Sequence, residues 1–160
     1  MLVDKNAHAH FTLDSFNVAK ETPATAFTTA TNTRGDFDGT AMPYTLFNVT
    51  GDVIVRVYGV CTTTIVSAGG GTLSVGVTNN TAKLIASTTA ASITTTVNFW
   101  PDATIYDSTD LLSKVTGPFI IVNSANIIET IGTADISAGQ LYYICLWRPI
   151  SHDGLVTPAG

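Results

Sequence analysis

The hydrophobic positions of this chain recur in short runs with a period of two, and the longest run lies near the C-terminus. Residues 140–149 (QLYYICLWRP) are predicted to form one β-strand. Successive side chains of a strand point to opposite faces, and both faces here are largely apolar. One face carries Leu141, Tyr143, Cys145 and Trp147, and the other Tyr142, Ile144, Leu146 and Arg148. The pattern predicts a central strand that another sheet or a partner chain covers on each side.

Similar patterns extend over most of the chain. Residues 53–61 (VIVRVYGVC) predict a second strong strand, again apolar on both faces. Further strands are predicted at 27–33, 43–50, 72–77, 83–88, 93–100, 119–122 and 127–131. Turn signals separate them at intervals of about 8 to 12 residues, which is typical of a sandwich or barrel. The sequence therefore predicts an all-β fold, an antiparallel β-sandwich of jelly-roll-like topology. A parallel α/β fold is not expected, because no long amphipathic helix separates the predicted strands.

The N-terminal segment differs from the rest. Residues 1–25 have mixed charge, and Lys20, Glu21 and Pro23 interrupt any regular pattern. We interpret residues 1–25 as an arm or a first edge strand, and residues 26–160 as the β-sandwich domain.

Two other segments are less regular. Residues 101–113 have the only helix-like spacing, with Asp at positions suited to caps, but they are equally compatible with an irregular loop. Residues 151–160 are rich in turn-forming residues and are expected to be exposed.

Composition narrows the possible functions. Charged residues are only 12% of the chain, threonine occurs 27 times, and the net charge is −5. Polar surface made of hydroxyls is cheaper to desolvate than charged surface, which suits a protein that lies against other proteins. The seven basic residues are scattered, so neither nucleic acid nor an anionic membrane is expected as a partner. No apolar run is long enough for a transmembrane helix, and no secretory signal is recognised at the N-terminus.

One candidate metal site lies in the arm. His8 and His10 would point the same way in a strand, and Asp4 or Asp14 could complete a set of ligands. An exposed arm offers no rigid surroundings to orient such ligands, so we favour histidines without a metal.

Residues 34–39 (RGDFDG) resemble two known motifs. The carboxylates resemble the start of a calcium loop, but the later ligand positions do not follow the pattern. The tripeptide 34–36 is the one displayed by integrin ligands, although three residues recur often by chance. A turn stabilised by side-chain hydrogen bonds is the favoured interpretation. Asn48 and Asn79 lie in N-x-Thr sequons, which matter only in a secretory compartment.

Catalytic signatures are weak. Asp102, Asp107 and Asp110 could do acid-base work, but only Lys114 lies near them, and a solvated or helix-capping role is favoured. The SAGGGT run at 67–72 lacks the lysine and the following helix of a phosphate-binding loop. The three histidines lie near the termini, so a Ser-His-Asp triad would have to include a residue of a terminal segment. We predict no enzyme, no cofactor, and no catalytic or metal-binding residue.

The chain has two cysteines, Cys61 and Cys145, each inside a predicted strand. A disulfide between neighbouring strands is geometrically possible and cannot be read from the sequence. Two buried thiols that behave as small hydrophobic side chains are the favoured interpretation.

Two stretches carry a resemblance to a known family. They are residues 127–151 (IIETIGTADISAGQLYYICLWRPIS) with the following HDG, and GDVIVRVYGVC with TLSVGVTNNTAKLIASTT in the middle of the chain. Over roughly residues 50–154 the chain resembles small structural proteins of tailed bacteriophages, in particular capsid decoration (cement) proteins. Such proteins are typically β-sandwiches or jelly rolls that sit as trimers on the head and brace neighbouring major capsid subunits.

The resemblance implies a virion structural protein on the outer surface of the capsid. It would bind and stabilise the lattice of the major capsid protein, and it would associate with itself as a homotrimer. The first alternative is a tail or neck component of the same particle. The second is a carbohydrate-binding sandwich at a receptor-binding tip, with Trp100, Tyr106 or Trp147 as stacking platforms. Of these, Trp147 is expected in the core and Trp100 at the surface.

Overall fold

The computed structural model describes residues 16–21, 26–39, 43–95, 99–100 and 120–160. These residues form two antiparallel sheets packed face to face around one hydrophobic core. The strands are β1 (Asn17–Lys20), β2 (Pro43–Thr50), β3 (Asp52–Val66), β4 (Thr72–Val77), β5 (Asn80–Thr89), β6 (Phe99–Trp100), β7 (Ile120–Asn123), β8 (Ile127–Gly132), β9 (Ala138–Pro149) and β10 (Leu155–Pro158). A short 3-10 turn at Ala90–Ser92 follows β5.

The strand order of the two sheets confirms the predicted sandwich. The first sheet has the order β1-β9-β3, and β3 then pairs with both β6 and β7 on its far side. The second sheet has the order β10-β2-β8-β4-β5. If β6 and β7 count as one interrupted position and β10 as an added edge, each sheet has four strands in the order of an eight-stranded jelly roll.

The two strongest sequence runs, β3 and β9, lie side by side in the middle of the first sheet. Their register places Val57 opposite Cys145 and Cys61 opposite Leu141. Over residues 53–61 and 141–148, the odd-numbered side chains are buried between the sheets, and the even-numbered ones are half-buried on the other side. The period of two therefore sets one face of this sheet into the core and leaves the other facing outward.

Three expectations of secondary structure were wrong. Of the strand predicted at 93–100, the described residues 93–95 are not in a strand, and Phe99–Trp100 forms β6. Residues 27–33 do not form a strand: apart from one bridge between Ala26 and Gln140, they run through turns. The Thr33 hydroxyl donates to the carbonyl of Ala30 at 2.5 Å. Local hydrogen bonds of this kind, from Thr or Asn side chains to nearby backbone, compete with the hydrogen bonds of a sheet. The C-terminal tail is not simply exposed turn, because β10 pairs with β2 and buries Val156.

The N-terminal segment contributes an edge strand. Within residues 1–25, β1 pairs with β9 and buries Ala19. Residues 1–15 and 22–25 lie outside the described residues, as do residues 101–119 with their predicted helix or loop.

Candidate functional site

The outward side of the first sheet is largely apolar, and no other described layer covers it. We call it the outer face and define it by ten side chains on the outward side of β1, β3 and β9. They are Val18, Lys20, Ile54, Arg56, Tyr58, Val60, Tyr142, Ile144, Leu146 and Arg148. The eight on β3 and β9 are half-buried, and Val18 is 64% exposed. This is the second apolar face of the strand at 140–149, and no other described layer packs on it as the second sheet packs on the first face.

The strand register groups the apolar side chains of the outer face. Tyr58 lies opposite Ile144, and Val60 lies opposite Tyr142. Leu146 lies between Arg56 on one neighbouring strand and Val18 on the other. Directly opposed side chains in antiparallel strands are close enough to pack, so these residues form one continuous patch across three strands.

The outer face is positively charged at its margins. Its ten residues include three cations, and Asp52, two positions before Ile54 on the same side of β3, adds one carboxylate at its end, whereas the whole chain carries a net charge of −5. The Lys20 ammonium lies 4.5 Å from the centre of the Tyr142 ring. The Arg148 guanidinium lies 4.5 Å from the centre of the Phe16 ring. Cations held against aromatic rings keep their charge while covering apolar surface. The outer face therefore suits a partner surface that is apolar and bears carboxylates.

A second notable feature, which we call the charge cluster, is buried between the two sheets. It consists of Glu21, Arg34, Glu129 and Tyr143. Arg34 donates to both oxygens of Glu129, from Nε at 2.8 Å and from Nη2 at 2.7 Å. Its Nη1 donates to Oε1 of Glu21 at 3.2 Å. The Tyr143 hydroxyl donates to Glu129 at 2.5 Å, and the Tyr143 amide donates to Glu21 at 3.2 Å. The cluster thus ties the end of β1, the loop 26–39, β8 and β9 together.

Burial shifts the pKa values within the charge cluster. The side chains of Glu21, Arg34 and Glu129 are each at most 3% exposed. Desolvation raises the pKa of Glu21 to about 7, although the charge of Arg34 acts in the opposite direction. Desolvation disfavours the charge on Arg34, but attraction to Glu129 and the hydrogen bonds to it outweigh this and raise the pKa of Arg34 further. Desolvation and the neighbouring Glu129 also raise the pKa of Tyr143 well above its ordinary value.

The loop that precedes β2 holds Arg34 in place. The Arg34 carbonyl accepts from the Thr28 amide at 2.9 Å, and the Gly35 carbonyl accepts from the Ile136 amide at 2.8 Å. Gly35 has φ +123°, and a Cβ at this position would overlap the carbonyl oxygens of Thr28 and Ile136. Glycine is therefore required there by both conformation and space. The rings of Phe27 and Tyr44 lie within 5 Å of the guanidinium carbon.

These positions answer several sequence expectations. The Arg34 side chain is buried in the charge cluster, so the tripeptide 34–36 is not displayed as integrin ligands display it. The Asp36 carboxylate accepts from the Asn32 amide at 2.8 Å, as expected of a turn stabilised by a side chain. Within the described ranges no group of three His, Cys, Asp or Glu side chains could hold a metal ion. The candidate residues His8, His10, Asp4, Asp14, Asp102, Asp107, Asp110 and Tyr106 lie outside the described residues.

Two of the three aromatic platforms proposed for a sugar site, Trp100 and Trp147, are in the core. Trp147 is buried, as expected from its position in the middle of a strand. The expectation that Trp100 is exposed was wrong, because it is only 3% exposed. β6 pairs Trp100 with Gly59 of β3, and the missing side chain there leaves room for the indole, which packs edge-on against Tyr143. Trp100 thus fills the core beside the charge cluster.

Both cysteines are free and buried, as favoured from the sequence. Cys61 pairs with Leu141 and Cys145 with Val57, so the thiols are four positions apart along the same pair of strands. Burial raises the pKa of Cys145 to about 12 and also raises that of Cys61.

A cavity of about 310 Å³ opens beside the loop that holds Arg34. It is lined by residues 32–36, Pro43, Tyr44 and Ile131. Arg34 contributes to its wall, but the guanidinium bonds to the two glutamates. The lining of the cavity is more apolar than polar.

Sequence reasoning did not find the charge cluster, although a signal was present. Glu21 and Glu129 are the only glutamates of the chain. Glu129 lies within the run IIETI, in which an acidic side chain on a buried strand requires a cation nearby. The cation comes from a residue 95 positions away, which sequence pattern alone does not identify.

Comparisons with models of protein families, with curated proteins and with solved structures found no match. None of the helices formed by the described residues is long and apolar enough to cross a membrane.

Proposed function

We propose that this chain is a structural protein of a tailed-phage virion that binds the lattice of the major capsid protein from outside and stabilises the head. The outer face is the observation that carries the proposal. It is an apolar patch across three strands, on a sheet whose other side already supplies the core. When another protein covers the second apolar face of a central strand, apolar area is removed from water, and this burial stabilises the complex.

The charge of the outer face specifies the partner surface. Lys20, Arg56 and Arg148 lie among apolar side chains, and Asp52 is the one carboxylate on the same side of β1, β3 and β9. The complementary surface on a capsid subunit is apolar at its centre and carries Asp or Glu at its rim. Binding through such a surface is weakened by salt, since the attraction between rim charges is screened.

We further propose that the chain acts as a homotrimer on the capsid. Three copies of one modest contact, joined in one particle, bind far more tightly than one copy does. This is the arrangement that the resemblance to decoration proteins implies. A tail or neck component would use the same outer face on a different lattice. The carbohydrate-binding alternative loses its best exposed candidate, because Trp100 lies in the core.

The proposal is tested by light scattering and by co-sedimentation with empty heads of the phage that encodes the chain. The free protein is expected at about three times the 16.8 kDa chain mass, and it should pellet with heads. The Val18→Glu variant places an acid on the most exposed apolar position of the outer face. It should weaken binding to heads by about tenfold or more, because the added carboxylate would lie unpaired against an apolar or acidic partner surface.

The matched control is Leu155→Glu, an exposed apolar residue of β10 in the second sheet. It should bind heads like the unmodified chain, and both variants should keep its melting temperature within a few degrees. A protein that stays in the supernatant with heads present, or a Val18→Glu variant that binds as tightly as Leu155→Glu, would contradict the proposal.

A further inference from the structure

The charge cluster contains one acid too many for its cation. Arg34 faces both oxygens of Glu129 through two short hydrogen bonds, which is the fork geometry of a tight ion pair. Glu21 accepts from Nη1 of Arg34 at the longer distance of 3.2 Å. With both glutamates ionised, the buried cluster carries a net charge of −1. With Glu21 protonated, the cluster is neutral, which is the cheaper state away from water.

Among the described residues, every charged or titratable group that faces Glu21 belongs to this cluster or adjoins it. Arg34 comes from the loop 26–39, Glu129 from β8 and Tyr143 from β9. Tyr44 of β2 adjoins the guanidinium, with its ring centre 4.9 Å away. Among these, Arg34 is the one cation, and it is committed to Glu129.

Glu21 also fastens the end of β1. Its amide donates to the Tyr143 carbonyl at 3.0 Å, and its carboxyl accepts from the Tyr143 amide at 3.2 Å. The preceding residues Asn17–Lys20 form the edge of the first sheet as described, and β9 is the one described strand that pairs with them. The position of β1 therefore depends on how well Glu21 is accommodated.

We propose that Glu21 is a proton-dependent latch for β1. Protonated, it completes a neutral buried cluster and holds the edge strand against β9. Ionised, it adds an unmatched negative charge, and the opening of β1 releases Glu21 to water while the Arg34–Glu129 pair stays intact. Since Val18 and Lys20 of β1 form one border of the outer face, the latch makes that border sensitive to pH. A pKa of about 7 for Glu21 places the change near neutrality.

The chain's two glutamates permit a direct test on the full-length protein. Selective ¹³Cδ-glutamate labelling gives two carboxyl signals, and Glu21→Gln removes one of them and assigns the other. We expect the Glu21 signal to titrate near pH 7 in the unmodified chain. Hydrogen exchange of the amides of residues 17–21, corrected for intrinsic rates and referred to β9 amides, reports the opening of β1. Their protection should fall about tenfold or more between pH 5.5 and 8.5.

Two variants separate the latch from a general effect of pH. Glu21→Gln is neutral throughout, so its β1 protection should not change with pH. Asp153→Asn removes an exposed carboxylate and should keep the pH profile of the unmodified chain. A Glu21 signal that titrates at the ordinary value near 4.5, or equal pH dependence of β1 protection with and without Glu21, would overturn the proposal. If Glu21→Gln does not fold, the titration and exchange of the unmodified chain decide alone. The latch does not depend on the proposed capsid role.

Discussion

At the scale of single residues, Arg34 connects several elements of the fold. From the loop 26–39 it bonds to Glu129 of the second sheet and to Glu21 at the end of β1 in the first sheet. A buried ion pair contributes little over an apolar replacement of the same shape, but removal of one partner leaves a buried charge unmatched. The effect of a substitution here therefore depends on which partners remain.

Arg34→Met should destabilise the fold by about 3 to 5 kcal/mol at pH 8, because it strands two buried carboxylates. Urea unfolding followed by tryptophan fluorescence measures the change. The control is the triple variant in which Glu21, Arg34 and Glu129 are all Met, which should recover much of the loss. A single variant within about 1 kcal/mol of the unmodified chain would show that the interior tolerates the unpaired carboxylates.

Cys61 and Cys145 should be inert in the folded chain. Burial raises the pKa of Cys145 to about 12, so almost none of its thiol is ionised at pH 8, and the pKa of Cys61 is raised as well. We expect a thiol reagent at pH 8 to modify neither residue in the native protein over minutes and both after unfolding in urea. Rapid native modification of Cys145 would indicate frequent opening between β9 and its neighbours.

At the scale of elements, β1 is a short edge strand of the first sheet. It is four residues long and, among the described strands, pairs only with β9, yet it covers the edge of β9 and buries Ala19. Its attachment ends at Glu21, so the strand and the charge cluster form one structural unit. A central strand such as β9, with its neighbour removed, would offer a new edge for pairing with other chains.

Two truncations separate the arm from the strand. A chain that begins at Phe16 keeps every described contact of β1 and should melt within a few degrees of the full chain. A chain that begins at Ala26 loses β1 and Glu21, so it should melt roughly 5 °C lower or more and self-associate through the exposed edge of β9. Differential scanning calorimetry and light scattering measure both effects. Equal melting and mass for the two truncations would show that β1 contributes nothing to the sandwich.

At the scale of the whole molecule, stability is coupled to pH through Glu21. Its pKa is about 7 in the folded chain and about 4.5 in an unfolded one. Between these values the folded chain holds a proton that the unfolded chain has released. Stability from this group is therefore fully present below pH 4.5, falls as the pH rises to 7, and stays at the lower level above that.

The melting temperature of the unmodified chain should fall by roughly 5 °C between pH 5 and pH 8 relative to that of Glu21→Gln. The difference between the two proteins cancels the contribution of the aspartates, which titrate in both. Thermal unfolding followed by circular dichroism at matched ionic strength measures it. Parallel curves for the two proteins over this range would show that Glu21 is ionised at no cost inside the fold.

The sequence by itself determined the class of fold and most strand positions. Alternating apolar residues and turns at Gly, Asn and Asp are local signals, and the predicted bounds of β2 and β4 match the observed ones. The signal failed where polar side chains bond to their own backbone, as at residues 27–33, and where a strand is short, as for β10. Local pattern contains no information that resolves those cases.

Tertiary structure alone decided which face of β9 is the core. Both faces are apolar in the sequence, and only the packing of the second sheet selects Leu141 and Tyr143 for the interior and leaves Tyr142 and Ile144 outside. Tertiary structure alone also brought Arg34 to two glutamates that are 13 and 95 residues away. The arginine of a tripeptide that integrin ligands display at the surface is therefore a buried hydrogen-bond donor here. Such pairings form when distant segments meet in the fold. They are favoured because an unpaired buried charge is unfavourable, and this free energy depends on several segments together and cannot be read from any one of them.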